Sequence, residues 1–159
     1  MPLAQAWLML QDYSLAHNYV EGVVRTEITT EQETGLGASR KVYFNETDYN
    51  NETIVDWREG EGFTMRLHID DKPLAPFTEA SFGYHLTELN ASSTRVTMTM
   101  SYQMPWGWFG EKLNHWVIEA EMQKAIPKVA AGFKHFYETG KPATDADRQR
   151  LLDAVVIAD

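Results

Sequence analysis

Apolar and polar positions alternate along most of the chain, and at both ends the alternation gives way to helical spacing. Between Tyr19 and Met104 the pattern has a period of two and is interrupted by Gly, Asn and Pro, which is typical of strands joined by turns. It predicts six strands, at about residues 23–30, 38–45, 52–59, 63–70, 78–89 and 94–104.

The third and fourth predicted strands form a hairpin. A three-residue loop at 60–62 sets Trp57 opposite Met65 and Val55 opposite Leu67. Because side chains alternate between the two faces of a strand, this register places all four residues on one face.

The last hairpin carries one apolar face on each strand. An odd-length loop around residues 90–92 keeps the two apolar sets together. They are Ala80, Phe82, Tyr84 and Leu86 on one strand, and Val96, Met98, Met100, Tyr102 and Met104 on the other. The opposite face is polar. The pattern therefore predicts an antiparallel sheet with one solvated face and one face that another layer must cover.

Helical spacing indicates the covering layer. A first helix follows Pro2, and a long helix spans about 109–139, where Pro127 should kink or divide it. Its apolar stripe is Phe109, Leu113, Trp116, Ala120, Ala130, Phe133 and Tyr137. Thr144 and Asp147 have capping-box spacing for a short helix to about Val156. We expect one domain over 1–140 and a tail over 141–159.

Composition narrows the function classes. The 159 residues carry a net charge of −9 and no cysteine, so nucleic acid is not an expected partner and thiolate chemistry is excluded. The chain has no run of eighteen apolar residues, so no transmembrane helix is predicted. The first residues lack a signal-peptide pattern. A cytoplasmic protein is the expectation.

The order of elements, one helix, six antiparallel strands and a long helix, resembles the helix-grip fold of the START-like (SRPBCC) superfamily. The likeness covers about residues 2–139 and is carried by the segments PLAQAWLMLQDYSLAHNYVEGV, GLGASRKVYF, ETIVDWREGEGF, FGYHLTEL and TRVTMTMSYQM. The resemblance implies an α+β fold in which a curved sheet wraps the long C-terminal helix, and a cavity between the two. It also implies a further strand before the first helix, beside the strand at 94–104.

That implied strand has no counterpart here, so the edge at 94–104 should be unpaired. Three explanations are open: a start codon placed too late, pairing between two protomers, or the tail at 154–158 filling the gap. Because exposed edges pair with other chains, a homodimer through this edge or through the tail is an expected partner arrangement.

The sequence predicts no catalytic set, metal site or cofactor. The five histidines have no metal-ligand spacing, and no Ser or Thr stands in a nucleophile elbow. The carboxylates of Glu52, Asp56, Glu59 and Glu61 are expected to be solvated, since charged side chains are rarely buried.

The predicted ligand-binding residues line the covered face. They are Arg40, Trp57, Met65, Phe82, Tyr84, Met98, Met100, Tyr102 and Trp116. Arg40 is in phase with Ala38 and Val42, and a hairpin register can bring it opposite Trp57. A buried cation there needs an aromatic or acidic partner, although an Arg whose head reaches solvent at the sheet end is the commoner case.

Three functions are compatible with this pattern. The first is binding of a small apolar or aromatic ligand, lipid-like or polyketide-like, between the sheet and the long helix. The second, which follows from the resemblance, is a cyclase/dehydratase-type enzyme in which Arg40, Tyr84 or Tyr102 polarises a carbonyl. The third is a protein-interaction module that uses the exposed edge strand.

Overall fold

The structure, a computed structural model, describes residues 1–105 and 107–157, and for residues 107–117 it describes the backbone alone. In this part of the chain there are three α-helices and seven strands. The helices are α1 (Leu3–Leu10), α2 (Gly107–Thr139) and α3 (Asp145–Leu151). The strands are β1 (Arg25–Ile28), β2 (Ser39–Tyr43), β3 (Tyr49–Arg58), β4 (Gly62–Ile69), β5 (Lys72–Pro73), β6 (Glu79–Asn90) and β7 (Ser93–Gln103).

The strands form one antiparallel sheet in the order β1-β2-β3-β4-β6-β7, and the two-residue β5 pairs with the end of β4. The six predicted strands are all present, and β5 is an addition that the sequence pattern did not predict. The α+β class, with a curved antiparallel sheet and a long C-terminal helix, is confirmed.

The last hairpin has one shared apolar face, as predicted, although its turn is not the odd-length loop that the sequence indicated. Ala80 pairs with Tyr102, Phe82 with Met100, and Tyr84 with Met98. A two-residue turn at Ala91 and Ser92 joins the strands, and a register shift between Glu88 and Asn90 precedes it. The apolar sets of both strands therefore lie on the concave face of the sheet.

The predicted register of the β3–β4 hairpin is wrong. Trp57 pairs with Phe63 rather than Met65, and Ile54 takes the position opposite Met65. The ladder shifts by one residue between Ile54 and Asp56. Val55 is the extra residue of this bulge, and it is 49% exposed, whereas Ile54 is 1% exposed. A bulge of this kind reverses the facing of every residue beyond it.

Gly62 explains part of the difference. It belongs to β4, where it pairs with Arg58, instead of lying in the loop. Its φ is +144°, and a Cβ at this position would lie 2.0 Å from the carbonyl oxygen of Tyr84 on β6. Only glycine permits this backbone geometry and this close approach, so the turn is displaced by one residue from the predicted position.

The second half of α2 packs on the concave face through Phe133. Its ring stacks on that of Tyr84 at a centroid distance of 5.8 Å, and it also contacts the rings of Tyr19 and Tyr137. Pro127 lies inside α2 and the helix continues through it, so of the two predicted effects, a kink or a division, the division does not occur.

The described part of the tail packs mainly on α2, through α3. The Thr144–Asp147 capping box is present at the start of α3. Gly132 of α2 allows close packing, because a Cβ there would lie 2.3 Å from the carbonyl oxygen of Tyr19 and 3.2 Å from Nε of Arg148. As far as Ile157 the tail forms no strand, so within the described residues it does not fill the free edge of β7.

Candidate ligand-binding site

The candidate site is built on the concave face of β2, β3, β4, β6 and β7. One end of this face is closed by two indoles, those of Trp7 on α1 and Trp57 on β3, whose ring centroids are 4.9 Å apart. Both indole N–H groups donate to the carboxylate of Glu59 at 3.0 Å. This shared acceptor fixes α1 against the sheet.

Arg40 lies on β2, where its side chain turns to this face and is 2% exposed. Its register partner on β3 is Glu52, so the predicted position opposite Trp57 is wrong. Arg40 Nε donates to Glu52 Oε2 at 2.7 Å, and Nη2 is 2.5 Å from the same oxygen. The Glu52 side chain is 13% exposed. The expectation that Glu52 is solvated is therefore also wrong, because the carboxylate is drawn inward by the buried cation.

Two further groups surround the guanidinium of Arg40. Its Nη1 donates to the carbonyl oxygen of Tyr13 at 2.6 Å, and its carbon atom lies 4.0 Å from the centroid of the Tyr13 ring. Nη2 also contacts Met65 Sδ at 3.8 Å. Burial by itself lowers the pKa of Arg40, but the carboxylate of Glu52 and the nearby tyrosines outweigh it and hold the pKa above its ordinary value. All three nitrogens thus have protein partners.

Buried tyrosines extend this polar cluster. The hydroxyl groups of Tyr19 and Tyr84 are 3.3 Å apart, and the Tyr13 hydroxyl donates to Met65 Sδ at 3.3 Å. Burial raises the pKa of Tyr13, Tyr84 and Tyr137 well above the ordinary value for a phenol. These side chains therefore remain neutral hydroxyls and do not become phenolates near neutral pH.

The concave face is unevenly covered. Phe63, Met65, Phe82 and Tyr84 in its middle are buried. On β7 the apolar residues of the same face are only partly buried. These residues, Val96, Met98, Met100 and Tyr102, form an apolar row that the rest of the described protein does not fully cover.

A cavity of about 600 Å³ opens where the sheet divides. The β4–β6 ladder ends at Arg66 and Ser81, after which β4 pairs with β5 instead. Leu67, Ala80 and Tyr102, which are in phase with the concave face, give the cavity an apolar floor. Charged residues of the opposite face and the β4–β5 turn, including Arg66, Asp71, Lys72 and Glu79, form its rim. Its volume is in the range of small-molecule sites, about 300–1,000 Å³.

Eight of the nine predicted ligand-binding residues can be placed. Seven of them, Arg40, Trp57, Met65, Phe82, Tyr84, Met98 and Met100, share the concave face, and Tyr102 belongs both to this face and to the cavity lining. The side chain of Trp116 lies outside the described residues. Whether these residues bind a ligand stays a prediction.

Sequence reasoning missed several residues of the site. Glu52 and Tyr13 were not predicted as partners of Arg40, and Trp7 was not predicted as a partner of Trp57. A signal for Glu52 was present, since it is the acidic residue nearest to Arg40 along the strand that follows. No pattern in the sequence indicated which residues form the cavity rim, because the rim depends on where the β4–β6 ladder ends.

Metal clusters and membrane-spanning helices are both absent from residues 1–105 and 107–157. Among those residues no three His, Cys, Asp or Glu side chains converge as a metal site would require. None of the helices described is both long and apolar enough to cross a bilayer.

Comparison with known families assigns the chain. Residues 1–133 match the family described as "Polyketide cyclase / dehydrase and lipid transport". The chain belongs to this family. The family assignment and the solved relatives confirm the resemblance to the START-like superfamily. A search of curated proteins finds no match.

Solved structures support the fold of this polyketide cyclase and lipid transport family member. A solution NMR structure from Thermobifida fusca is 16% identical, with a TM-score of 0.60, over 84% of this chain and 87% of that chain. The aromatase/cyclase Zhui from Streptomyces sp. R1128 is also 16% identical, with a TM-score of 0.57, over 89% and 92% of the chains.

The protein Ara h 8.0201 is 14% identical, with a TM-score of 0.57, over 81% of this chain and 87% of that chain. At such identities these likenesses establish the fold and leave the ligand open.

Proposed function

We propose that the protein binds a small, uncharged apolar or aromatic molecule on the concave face, between the sheet and α2. The observation that carries this proposal is the partly buried row of Val96, Met98, Met100 and Tyr102, which continues a packed core. Apolar surface left beside a core gains free energy when a ligand removes it from water, at about 25 cal/mol per Å².

The chemistry of this face favours an uncharged ligand. The single cation found there within the described residues, Arg40, is compensated by Glu52 at hydrogen-bonding distance. An anionic ligand would have to displace that carboxylate from a buried site, which is costly. Met98 and Met100 can adapt to ligands of different shape, because the methionine side chain is flexible and polarizable.

Tyr102 supplies a polar group that can orient the ligand. Its ring packs on Phe77 with a centroid distance of 5.0 Å, and its hydroxyl has no hydrogen-bond partner among the described residues. Because Tyr102 also lines the cavity at the sheet division, a ligand on the apolar row can place a polar substituent toward the charged rim. A few well-placed polar groups within an apolar lining are typical of small-molecule sites.

The test is a titration with Nile red, an uncharged fluorescent probe of apolar sites. Met100→Ala should weaken binding roughly tenfold, because it removes about 1–2 kcal/mol of apolar contact. Leu89→Ala is the matched control, since Leu89 is apolar but 52% exposed at the end of β6. Thermal denaturation shows whether both variants are folded.

Equal weakening by Met100→Ala and Leu89→Ala would refute the placement on the concave face, and so would absence of binding by the wild-type protein. Native mass spectrometry of the purified protein offers a second measurement, in which a small molecule released on denaturation is the expected result.

A cyclase-type enzyme is the second candidate, and it is supported by the Tyr102 hydroxyl, which has no hydrogen-bond partner among the described residues. The nitrogens of Arg40 are engaged, and the Tyr84 hydroxyl is paired with that of Tyr19. Tyr102 is therefore the predicted residue best able to donate to a ligand carbonyl. A synthetic poly-β-keto thioester should then cyclise faster with the protein, and Tyr102→Phe should lower kcat more than it raises KM. If the products and rates equal those without protein, this candidate is excluded.

A further inference from the structure

Two irregularities of the sheet meet beside Arg66 on β4. One is the bulge of β3 at Val55, two residues beyond Thr53, which is the partner of Arg66 on β3. The other is the end of the β4–β6 ladder at Arg66 and Ser81. Bulges are over-represented next to active sites, where they re-aim a side chain. Here the bulge turns the apolar side chain of Val55, 49% exposed, toward the cavity that opens at this point.

The cavity reaches the face of the sheet opposite α2, here called the convex face. Residues that pair directly share a face, so Arg66 and Ser81 lie on the convex face together. Glu79, two residues before Ser81 on β6, lies there as well. All three line the cavity, and Leu67 and Ala80 close it from the concave side. The mouth is therefore polar and charged, and the floor is apolar.

The β4–β5 turn at the rim is fixed by two buried polar side chains. His68 is 8% exposed, its Nε2 lies 2.8 Å from Thr53 Oγ1, and its Nδ1 donates to the Asp70 carbonyl oxygen at 2.5 Å. Asn51 is also 8% exposed, and its Oδ1 accepts the Asp70 N–H at 2.8 Å. A rim that is already ordered loses less conformational freedom when a ligand binds, which favours affinity.

The charges on this rim are unpaired. Within the part of the chain that the structure describes, the side chains of Arg66, Lys72, Asp71 and Glu79 form no ion pair and no hydrogen bond. The two cations and two carboxylates sum to zero, whereas the whole chain carries −9. A ligand that bears both signs can therefore pair with both kinds of rim charge, whereas an anion or a cation alone meets a like charge.

Arg66 and Glu79 stand on opposite walls of the cavity. Arg66 lies opposite Ser81, so Glu79 is its diagonal neighbour across the two strands. In a regular ladder such neighbours are about 7–8 Å apart, within reach of long side chains. The strands part at this point, because β4 pairs with β5 instead, and these two described side chains do not contact each other. The space between them suits a ligand that carries a carboxylate and an ammonium group.

We propose that this cavity binds a small zwitterion with an apolar side chain, of the chemical class of the apolar α-amino acids. The ligand carboxylate contacts Arg66, because a planar guanidinium can donate two parallel hydrogen bonds to a carboxylate. The ammonium group contacts Glu79, and the apolar side chain lies against Leu67 and Ala80. This site is separate from the one proposed on the concave face, and neither requires the other.

Chemical-shift titration of the isotope-labelled full chain with L-phenylalanine tests the proposal. Saturable shifts should appear at the amides of the β4–β5 turn and of the start of β6. We expect a Kd of about 1 mM, because ion pairs between exposed groups are weak. Phenylpropionate lacks the ammonium group and phenethylamine lacks the carboxylate, so each should bind about two- to fivefold more weakly than L-phenylalanine.

Two charge-removing variants should change the three affinities in opposite directions. Arg66→Gln should weaken L-phenylalanine and phenylpropionate and strengthen phenethylamine, because a repelling cation is gone. Glu79→Gln should weaken L-phenylalanine and phenethylamine and strengthen phenylpropionate, because a repelling carboxylate is gone. Arg95→Gln and Glu88→Gln are the matched controls, since both residues are exposed at the far ends of β7 and β6. These controls should leave all three affinities unchanged.

The outcomes separate this site from the concave face. No saturable shift with L-phenylalanine, shifts confined to other surfaces, or equal effects of a variant on all three compounds would overturn the proposal. Nile red should bind Arg66→Gln and Glu79→Gln as tightly as the wild-type protein, and weaker binding would show that the two sites are one. A protein that binds L-phenylalanine in this pattern but not Nile red would keep the convex-face site and lose the concave-face one.

Discussion

Arg40 and Glu52 face each other on β2 and β3 as a buried ion pair, with Arg40 Nε 2.7 Å from Glu52 Oε2. The pair leaves the middle of the concave face nearly neutral despite the net charge of the chain. It also draws in the carbonyl group and ring of Tyr13. The connection between α1 and β1 is therefore held to the sheet by the same side chain that occupies the site.

Removal of one partner of this pair should be strongly destabilising. Glu52→Gln leaves the Arg40 charge buried without a counter-ion, which costs about 3–5 kcal/mol. The double variant Arg40→Met with Glu52→Gln should recover a large part of that loss, because no uncompensated charge remains. Urea denaturation of the two variants measures both effects.

Glu27→Gln is the control for this prediction, since Glu27 forms an exposed ion pair with Arg25, and such pairs add little stability. A loss of stability in Glu52→Gln no larger than in Glu27→Gln would contradict the buried, paired state of Arg40.

The bulge in β3 buries Ile54 and leaves its neighbour Val55 exposed. Ile54→Ala should lower the free energy of unfolding by about 2–5 kcal/mol, because Ile54 is 1% exposed and leaves a cavity. Val55→Ala should change it by less than about 0.5 kcal/mol, since Val55 is 49% exposed. Thermal and urea denaturation of this matched pair tests the corrected register. The reverse order of effects would restore the register predicted from the sequence.

Gly62 and Gly60 form a second matched pair. Gly60→Ala meets a positive φ of 76° but no atom within 4 Å, so it should cost about 1–2 kcal/mol. Gly62→Ala adds a clash with the Tyr84 carbonyl and should cost clearly more, or prevent folding. Soluble yield and denaturation midpoints measure the difference. Equal costs would show that β4 and β6 separate without penalty at this point.

The start of α3 should lose stability at low pH. Hydrogen bonds from the Thr144 side chain and backbone hold the pKa of Asp147 below its ordinary value of 3.8. The stabilisation is therefore complete above pH 3.8 and is lost as pH falls through the lowered pKa. The amide chemical shifts of α3 should follow this titration. Asp147→Asn should abolish it, whereas Asp153→Asn, an exposed control in the next turn, should leave it unchanged.

Much of the fold follows from the sequence, because alternation is unambiguous where one face is fully polar. Thr97, Thr99 and Ser101 alternate with Met98 and Met100, so a shift of one residue in the last hairpin would turn its apolar side chains to solvent. In β3 the adjacent Ile54 and Val55 are both apolar, so alternation allows either one to be buried. The bulge that decides between them depends on pairing with β4, which residue types along β3 do not reveal.

The site was less predictable than the fold. The inward direction of Arg40 followed from its phase with Ala38 and Val42, which are 0% and 3% exposed. Its partner depended on the β2–β3 register. Glu52 was predicted to be solvated because charged side chains are rarely buried. The cavity depends on the point where the β4–β6 ladder ends, which is a property of sheet curvature and not of any local pattern.

The order of elements has a consequence for synthesis. Consecutive long strands are neighbours in the sheet, and α2 follows them all. All the strands of the concave face therefore leave the ribosome before the helix that covers them. During that interval the methionines and aromatic rings of the concave face meet water, or whatever apolar molecule is at hand. Under the proposed binding function, a ligand that meets the uncovered face would be enclosed as α2 packs and would not need an entrance.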